Sequence, residues 1–70
     1  MFEKLTNREK DVLFAICEKG LFSVKEIAKT LIIEKCTVRS HIVHIYQKTH
    51  VKCMQQLIFF YYKGLLNEYI

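Results

Sequence analysis

An all-α fold of four short helices is what this sequence predicts, and three observations lead there. The 70 residues hold no Pro and only two Gly, so little interrupts a helix. Apolar residues recur at three- and four-residue spacing through four successive segments. Two of those segments open with Thr or Ser followed three residues later by Glu, the spacing of a capping box. A chain of this size buries only about 60% of the surface its unfolded form exposes, so one domain with a thin core is expected over residues 1–70.

The first helix is expected over residues 7–19. In Thr6-Asn7-Arg8-Glu9 the hydroxyl and the carboxylate can each satisfy an orphan backbone N–H at a helix start. Val12, Leu13, Ile16 and Cys17 then make one buried face, and Gly20 supplies a positive-φ stop. Ser23-Val24-Lys25-Glu26 repeats the capping spacing, and Val24, Ile27, Ala28 and Leu31 mark a two-turn helix over residues 24–31. After the turn Leu31-Ile32-Ile33, Val38, Ile42, Ile45 and Tyr46 give a third helix over 35–48, with that stripe toward the core. Met54, Leu57, Ile58, Tyr61, Tyr62 and Leu65 place the fourth over 53–66. No repeat, low-complexity stretch or linker divides these segments.

With 51% apolar and 26% charged residues the chain has the composition of a folded protein, which excludes disorder. Eleven Lys and Arg against seven Asp and Glu leave a net charge of +4, which favours a polyanionic partner and leaves nucleic acid and an anionic membrane surface both open. Cys17, Cys36 and Cys53 are odd in number, far apart and without a Cys-x-x-Cys pair; they read as reduced thiols of a cytoplasmic protein. Met1-Phe2-Glu3-Lys4 does not open a signal peptide, and the longest apolar run, Leu57 to Tyr62, is far short of the roughly 20 residues of a spanning helix.

Catalysis has no support. There is no Gly-rich phosphate loop, no nucleophile elbow, and no Cys paired with an orienting base and acid, so neither an enzyme nor a cofactor is expected. His41 and His44, three apart on one helix, with His50 and Cys36 nearby, give a weak metal signal; no second Cys or carboxylate stands at a ligand spacing, so no metal site is expected.

If Val38, Ile42, Ile45 and Tyr46 face inward, the other side of the third helix presents Cys36, Arg39, Ser40, Val43 and Gln47, with Lys35 at its start and Lys48 near its end. A major groove admits an α-helix; Arg39 can bond a guanine edge bidentately, Ser40 and Gln47 other base edges, and Val43 a thymine methyl. Lys35, Thr37, His41, His44 and Lys48 border that face with groups suited to backbone phosphates. For an arbitrary basic helix, a merely solvated surface is the commoner reading. A short helix, a tight turn and a longer helix change that, because this is the helix-turn-helix arrangement that presents a recognition helix to DNA.

Three blocks in order, Leu5-Thr6-Asn7-Arg8-Glu9 with Asp11-Val12-Leu13, then Lys25-Glu26-Ile27-Ala28-Lys29-Thr30-Leu31, then Thr37-Val38-Arg39-Ser40-His41-Ile42, resemble the LuxR-type (GerE-like) helix-turn-helix domain of bacterial regulators. The likeness runs from about Lys4 to Tyr62 and suits a small stand-alone member, which Met1 at the start favours over an excised output domain. It implies a four-helix DNA-binding domain whose third helix enters the major groove and whose fourth often forms a dimer. By position it assigns Arg39, Ser40 and Val43 to base reading, Lys35, Thr37 and His41 to phosphates, and Glu9 to a buried structural acid.

The sequence departs from that pattern in four places. Glu34 stands where the family usually caps the recognition helix with Ser, so a shifted or frayed helix start is expected. One extra residue lies between Gly20 and Glu26. Thr49-His50-Val51 replaces a Leu-Gly-Val exit and loses its Gly, and Val43 replaces a basic residue.

The last helix carries Phe59 and Phe60 opposite its main stripe, with Leu66, Tyr69 and Ile70 beyond, and is apolar nearly all round. A thin core cannot bury two faces of a terminal helix, so a homodimer through Phe59, Phe60, Tyr62 and Leu66 is expected. The other possibility is that these aromatics fold back onto the first helix. Two functions stay open: a dimeric, DNA-reading transcriptional regulator, and an interaction module that binds another regulator or RNA polymerase through the fourth helix.

Overall fold

The computed structural model describes residues 4–70, in which the helices are α1 (Asn7–Cys17), α2 (Val24–Leu31), α3 (Lys35–Thr49) and α4 (Met54–Tyr62). Met1 to Glu3, on which the signal-peptide reading and the start of the domain rest, lie outside the described residues. α3 is the central element: α1 and α2 pack mainly on it, and α4 lies more lightly against α1. The core is apolar and thin, with Val12, Leu13, Ile16, Ile27, Val38, Ile45 and Leu57 all fully buried.

Each helix end has a local cause. At Thr6 the capping box forms as the spacing predicts: its hydroxyl accepts from the Glu9 N–H at 3.2 Å and its own N–H donates to Glu9 Oε1 at 2.9 Å. α1 stops at Cys17, two residues before the expected end, and Gly20 takes φ 69° in the turn that follows. The second capping box does not form. Ser23 has the extended backbone of a cap, yet its hydroxyl makes no capping bond, and both it and Glu26 are exposed, where water can serve the free N–H groups. Glu34 likewise makes no capping bond, but α3 starts at Lys35 as expected and continues one residue further, to Thr49.

The fourth helix is shorter than its periodicity implies, starting at Met54 and ending at Tyr62 instead of running from 53 to 66. Gly64, at φ 76°, closes it in a Schellman motif: Leu65 N–H bonds the Phe60 carbonyl at 3.0 Å and Gly64 N–H that of Tyr61 at 3.1 Å. The chain then turns back. Leu65, placed by its spacing on the core stripe, is 58% exposed, whereas Leu66 and Tyr69 drop into the core. The Leu5 N–H donates to the Tyr69 carbonyl at 2.7 Å, so the segments before α1 and after α4 seal one another.

Glu9, the buried acid of the family pattern, is 3% exposed and holds α1 to α3. Lys48 Nζ lies 2.7 Å from Glu9 Oε1 and also donates to the Lys4 carbonyl at 3.2 Å. Burial alone would raise the Glu9 pKa; the Lys48 hydrogen bond, the Thr6 N–H and the charges of Lys48 and His44 outweigh it and hold the carboxyl below its ordinary value. A depressed folded-state pKa means that this stabilisation is full above the unfolded carboxyl value, near 4.3 for a free Glu, and is lost as pH falls through the folded value. Glu9→Gln is therefore expected to cost about 2 kcal/mol at neutral pH. Urea unfolding of both proteins from pH 7 to pH 3 checks it: the gap between them should close on acidification, and a gap independent of pH would remove the ionised carboxylate from the account.

Among the described residues two non-Gly residues are left-handed, Ile32 at φ 57° in the turn between α2 and α3, and His50 at φ 61° after α3. His50 occupies the exit where the family Gly is missing. At Ile32 a β-branched side chain is in a conformation costing roughly 1–2 kcal/mol, and it is 89% exposed, so little packing compensates. Ile32→Gly should raise the urea midpoint, by about 0.5–1 kcal/mol in stability after the entropy of the added Gly is subtracted.

Candidate nucleic-acid interface

The buried stripe of α3, Val38, Ile42 and Ile45, fixes what its outer side shows. Arg39, Ser40, Val43 and Gln47 are all exposed, and at 3.6 residues per turn they fall within an arc of about 100° and a length of about 12 Å. Lys35 and Cys36 extend this face at the N-terminal end, both exposed. The structure thus brings together on one surface the four residues singled out for base reading.

The flanking set divides. Thr37 and His41 are half-buried, and His44 is exposed on the side of α3 that turns toward α1, its Nδ1 3.6 Å from Glu9 Oε2. Lys48, also expected at a phosphate, is turned toward α1. Its side chain is only 15% exposed and its ammonium is committed to Glu9 and the Lys4 carbonyl, because the buried carboxylate needs a counter-charge and Lys48 is the cation within reach. Sequence spacing could not show this, since the partners stand 39 positions apart.

The fourth helix also separates into two parts. Phe59 and Tyr62 are 54% and 68% exposed, while Phe60 is half-buried against the core. Leu66, expected at the interface, is 1% exposed and belongs to the core, because the Gly64 turn redirects the chain. Some of the aromatics do fold back onto α1. Tyr61 packs edge-on against Phe14, ring centroids 6.3 Å apart, and its hydroxyl donates to Glu18; that bond, with burial, pushes the phenol up to about 12. The Tyr62 hydroxyl donates to the Cys17 carbonyl, which leaves the rest of its ring outside. Phe22, in the loop before α2, is another exposed ring, 61% accessible, and with Met54, Gln55 and Ile58 it lines a shallow apolar depression that periodicity alone did not reveal.

Cys17 is buried and its pKa is pushed up to about 11 by burial and the neighbouring Glu18, so it stays a protonated core side chain. Cys53 caps α4, its Sγ accepting from the Gln56 N–H at 3.5 Å. Among the described residues no helix is long and apolar enough to cross a membrane.

Comparison with curated proteins and with solved structures gave no match. The family model for bacterial regulatory proteins of the luxR family, by contrast, matches residues 3–61 and so spans α1 to nearly the end of α4. With most of its length matched, and with a short α2, a tight turn and a longer α3 carrying a polar outer face, the chain belongs to the luxR family of DNA-binding helix-turn-helix regulators.

Proposed function

We propose that this chain is a sequence-specific transcriptional regulator that lays α3 in the major groove of double-stranded DNA and acts as a homodimer on an inverted repeat. The observation that carries the reading is the exposed stripe Arg39, Ser40, Val43 and Gln47, back to back with a buried one, Val38, Ile42 and Ile45. Arg39 suits a guanine edge, Ser40 and Gln47 suit other donors and acceptors, and Val43 suits a thymine methyl. Lys35 and Thr37 at the start of α3, and His41 and His44 on its flank, are assigned to phosphates.

Phe59 and Tyr62, with Phe60 at their edge, are assigned to the dimer contact. A two-fold axis through α4 presents two α3 helices to half-sites about one DNA turn apart. The same aromatic surface supports a second reading, in which the fold serves to bind another regulator or RNA polymerase, and the two readings separate on salt and sequence dependence.

Selection from a random duplex pool near physiological salt is expected to enrich an inverted repeat. Arg39→Ala should cost about 1–3 kcal/mol of that binding and relax one base position in each half-site. A pool that stays random, with only salt-sensitive background retention, would favour the interaction module. Sedimentation tests the dimer separately: Phe59→Glu should reduce the mass to that of the 8.4 kDa monomer, and an unchanged mass would remove α4 from the interface.

A further inference from the structure

We propose that Glu9, His41 and His44 form a binding site for a divalent transition-metal ion of the zinc class, held between the first turn of α1 and the flank of α3. One carboxylate oxygen and two imidazole nitrogens, one donor from each residue, all lie within 4.8 Å of one another. A tetrahedral ion with bonds of about 2.0–2.1 Å keeps its ligand atoms roughly 3.4 Å apart, so a modest contraction closes the site. His44, with its side chain 54% exposed, has the freedom to supply that movement.

Two details point to a ligand and go beyond mere proximity. His41 Nδ1 is fully shielded from solvent and has no hydrogen-bond partner among the described residues. A shielded ring nitrogen without a partner is costly, and coordination through Nδ1 would remove that cost. The Glu9 carboxylate is also divided between its oxygens. Oε1 accepts from the Thr6 N–H and from Lys48, whereas Oε2 faces His44 Nδ1 at 3.6 Å, too far for a hydrogen bond. The cap and the Lys48 bond thus orient the carboxylate and leave its second oxygen for an ion, the way outer hydrogen bonds orient metal-binding carboxylates elsewhere.

Access and selectivity follow from the same geometry. A depression of about 310 Å³ lined by Glu9, His44, Gln47 and Lys48 gives access from solvent on the Glu9 and His44 side, while His41 closes the site from within. Two imidazoles and one carboxylate suit Zn²⁺, Ni²⁺ or Cu²⁺ and not Mg²⁺ or Ca²⁺. The Lys48 ammonium beside Oε1 opposes the ion's charge, which makes the site weaker than a thiolate zinc site. The His pair alone, three residues apart on α3, gave only a weak signal, because its third ligand comes from a different helix.

The test is calorimetric titration with Zn²⁺ alone at pH 7.5, on the full chain carrying Cys36→Ser and Cys53→Ser so that the exposed thiols take no part. One equivalent should bind, and Co²⁺ in its place should give the visible bands of four-coordinate cobalt without thiolate charge transfer. His44→Ala and His41→Ala should each weaken uptake at least tenfold, and His50→Ala, outside the cluster, should not. Zn²⁺ at a hundredfold excess over Kd should raise Tm by roughly 10 °C or more in the parent and not in the His44→Ala variant. Absence of uptake at millimolar Zn²⁺, or uptake indifferent to His44→Ala, would overturn the site; His44 is exposed, so its variant is not compromised by loss of the core.

Discussion

Glu9 is the point through which the first and third helices of the regulator are joined. A carboxylate only 3% exposed in so small a protein requires compensation: the Thr6 N–H from its own helix turn and Lys48 from the end of α3 bond its first oxygen, and His44, one turn earlier, faces the second at 3.6 Å. Those partners fix the pose of α3 relative to α1 more narrowly than apolar packing alone, because ion-pair and hydrogen-bond geometry tolerates less sliding than a Val-Leu-Ile surface. The rotation of α3 about its own axis then decides which residues look outward. The outer stripe from Arg39 to Gln47 is in this sense set from behind, by a buried acid that touches none of it.

The same dependence explains what could and could not be read from the sequence. Local rules worked where the partners are local: the Thr6 and Glu9 box, the buried stripe of α3, and the four helices themselves follow from spacings within a few residues. They failed where a short element decided against a longer pattern. The apolar rhythm from Met54 to Leu65 runs on past the helix, since periodicity reports apolar positions and not the left-handed Gly64 that ends the turn. Ser23 and Glu26 have capping identities but no capping bond, because spacing does not show whether water already satisfies an exposed helix end.

Lys48 and Leu66 are instructive together. Each was legible as a residue type, a cation beside a polar face and an apolar residue near a terminal helix, and each is claimed by the interior. The lysine is claimed by Glu9, far away in the chain; the leucine is turned inward by the nearby Gly64 and received by a core that takes in the distant Leu5 and Leu13. A 70-residue chain has little core to spare, so its tail and its long charged side chains are drawn inward where a larger domain would leave them on the surface.

That inward draft bears on how such a chain could read DNA. With Lys48 committed to Glu9 and Val43 uncharged, the exposed stripe of α3 carries a single guanidinium, Arg39, with Lys35 at its edge. Phosphate contacts set most of the affinity for DNA, and each one fewer lowers both affinity and salt dependence, so one copy of this face would bind weakly. Two copies joined on a common axis pay the entropic cost of association once and engage two half-sites, which multiplies affinity without a new contact. The sparse charge on α3 and the exposed rings of Phe59 and Tyr62 on α4 are therefore two sides of one arrangement: the weaker the single recognition face, the more the proposed regulator depends on the helix that would pair it.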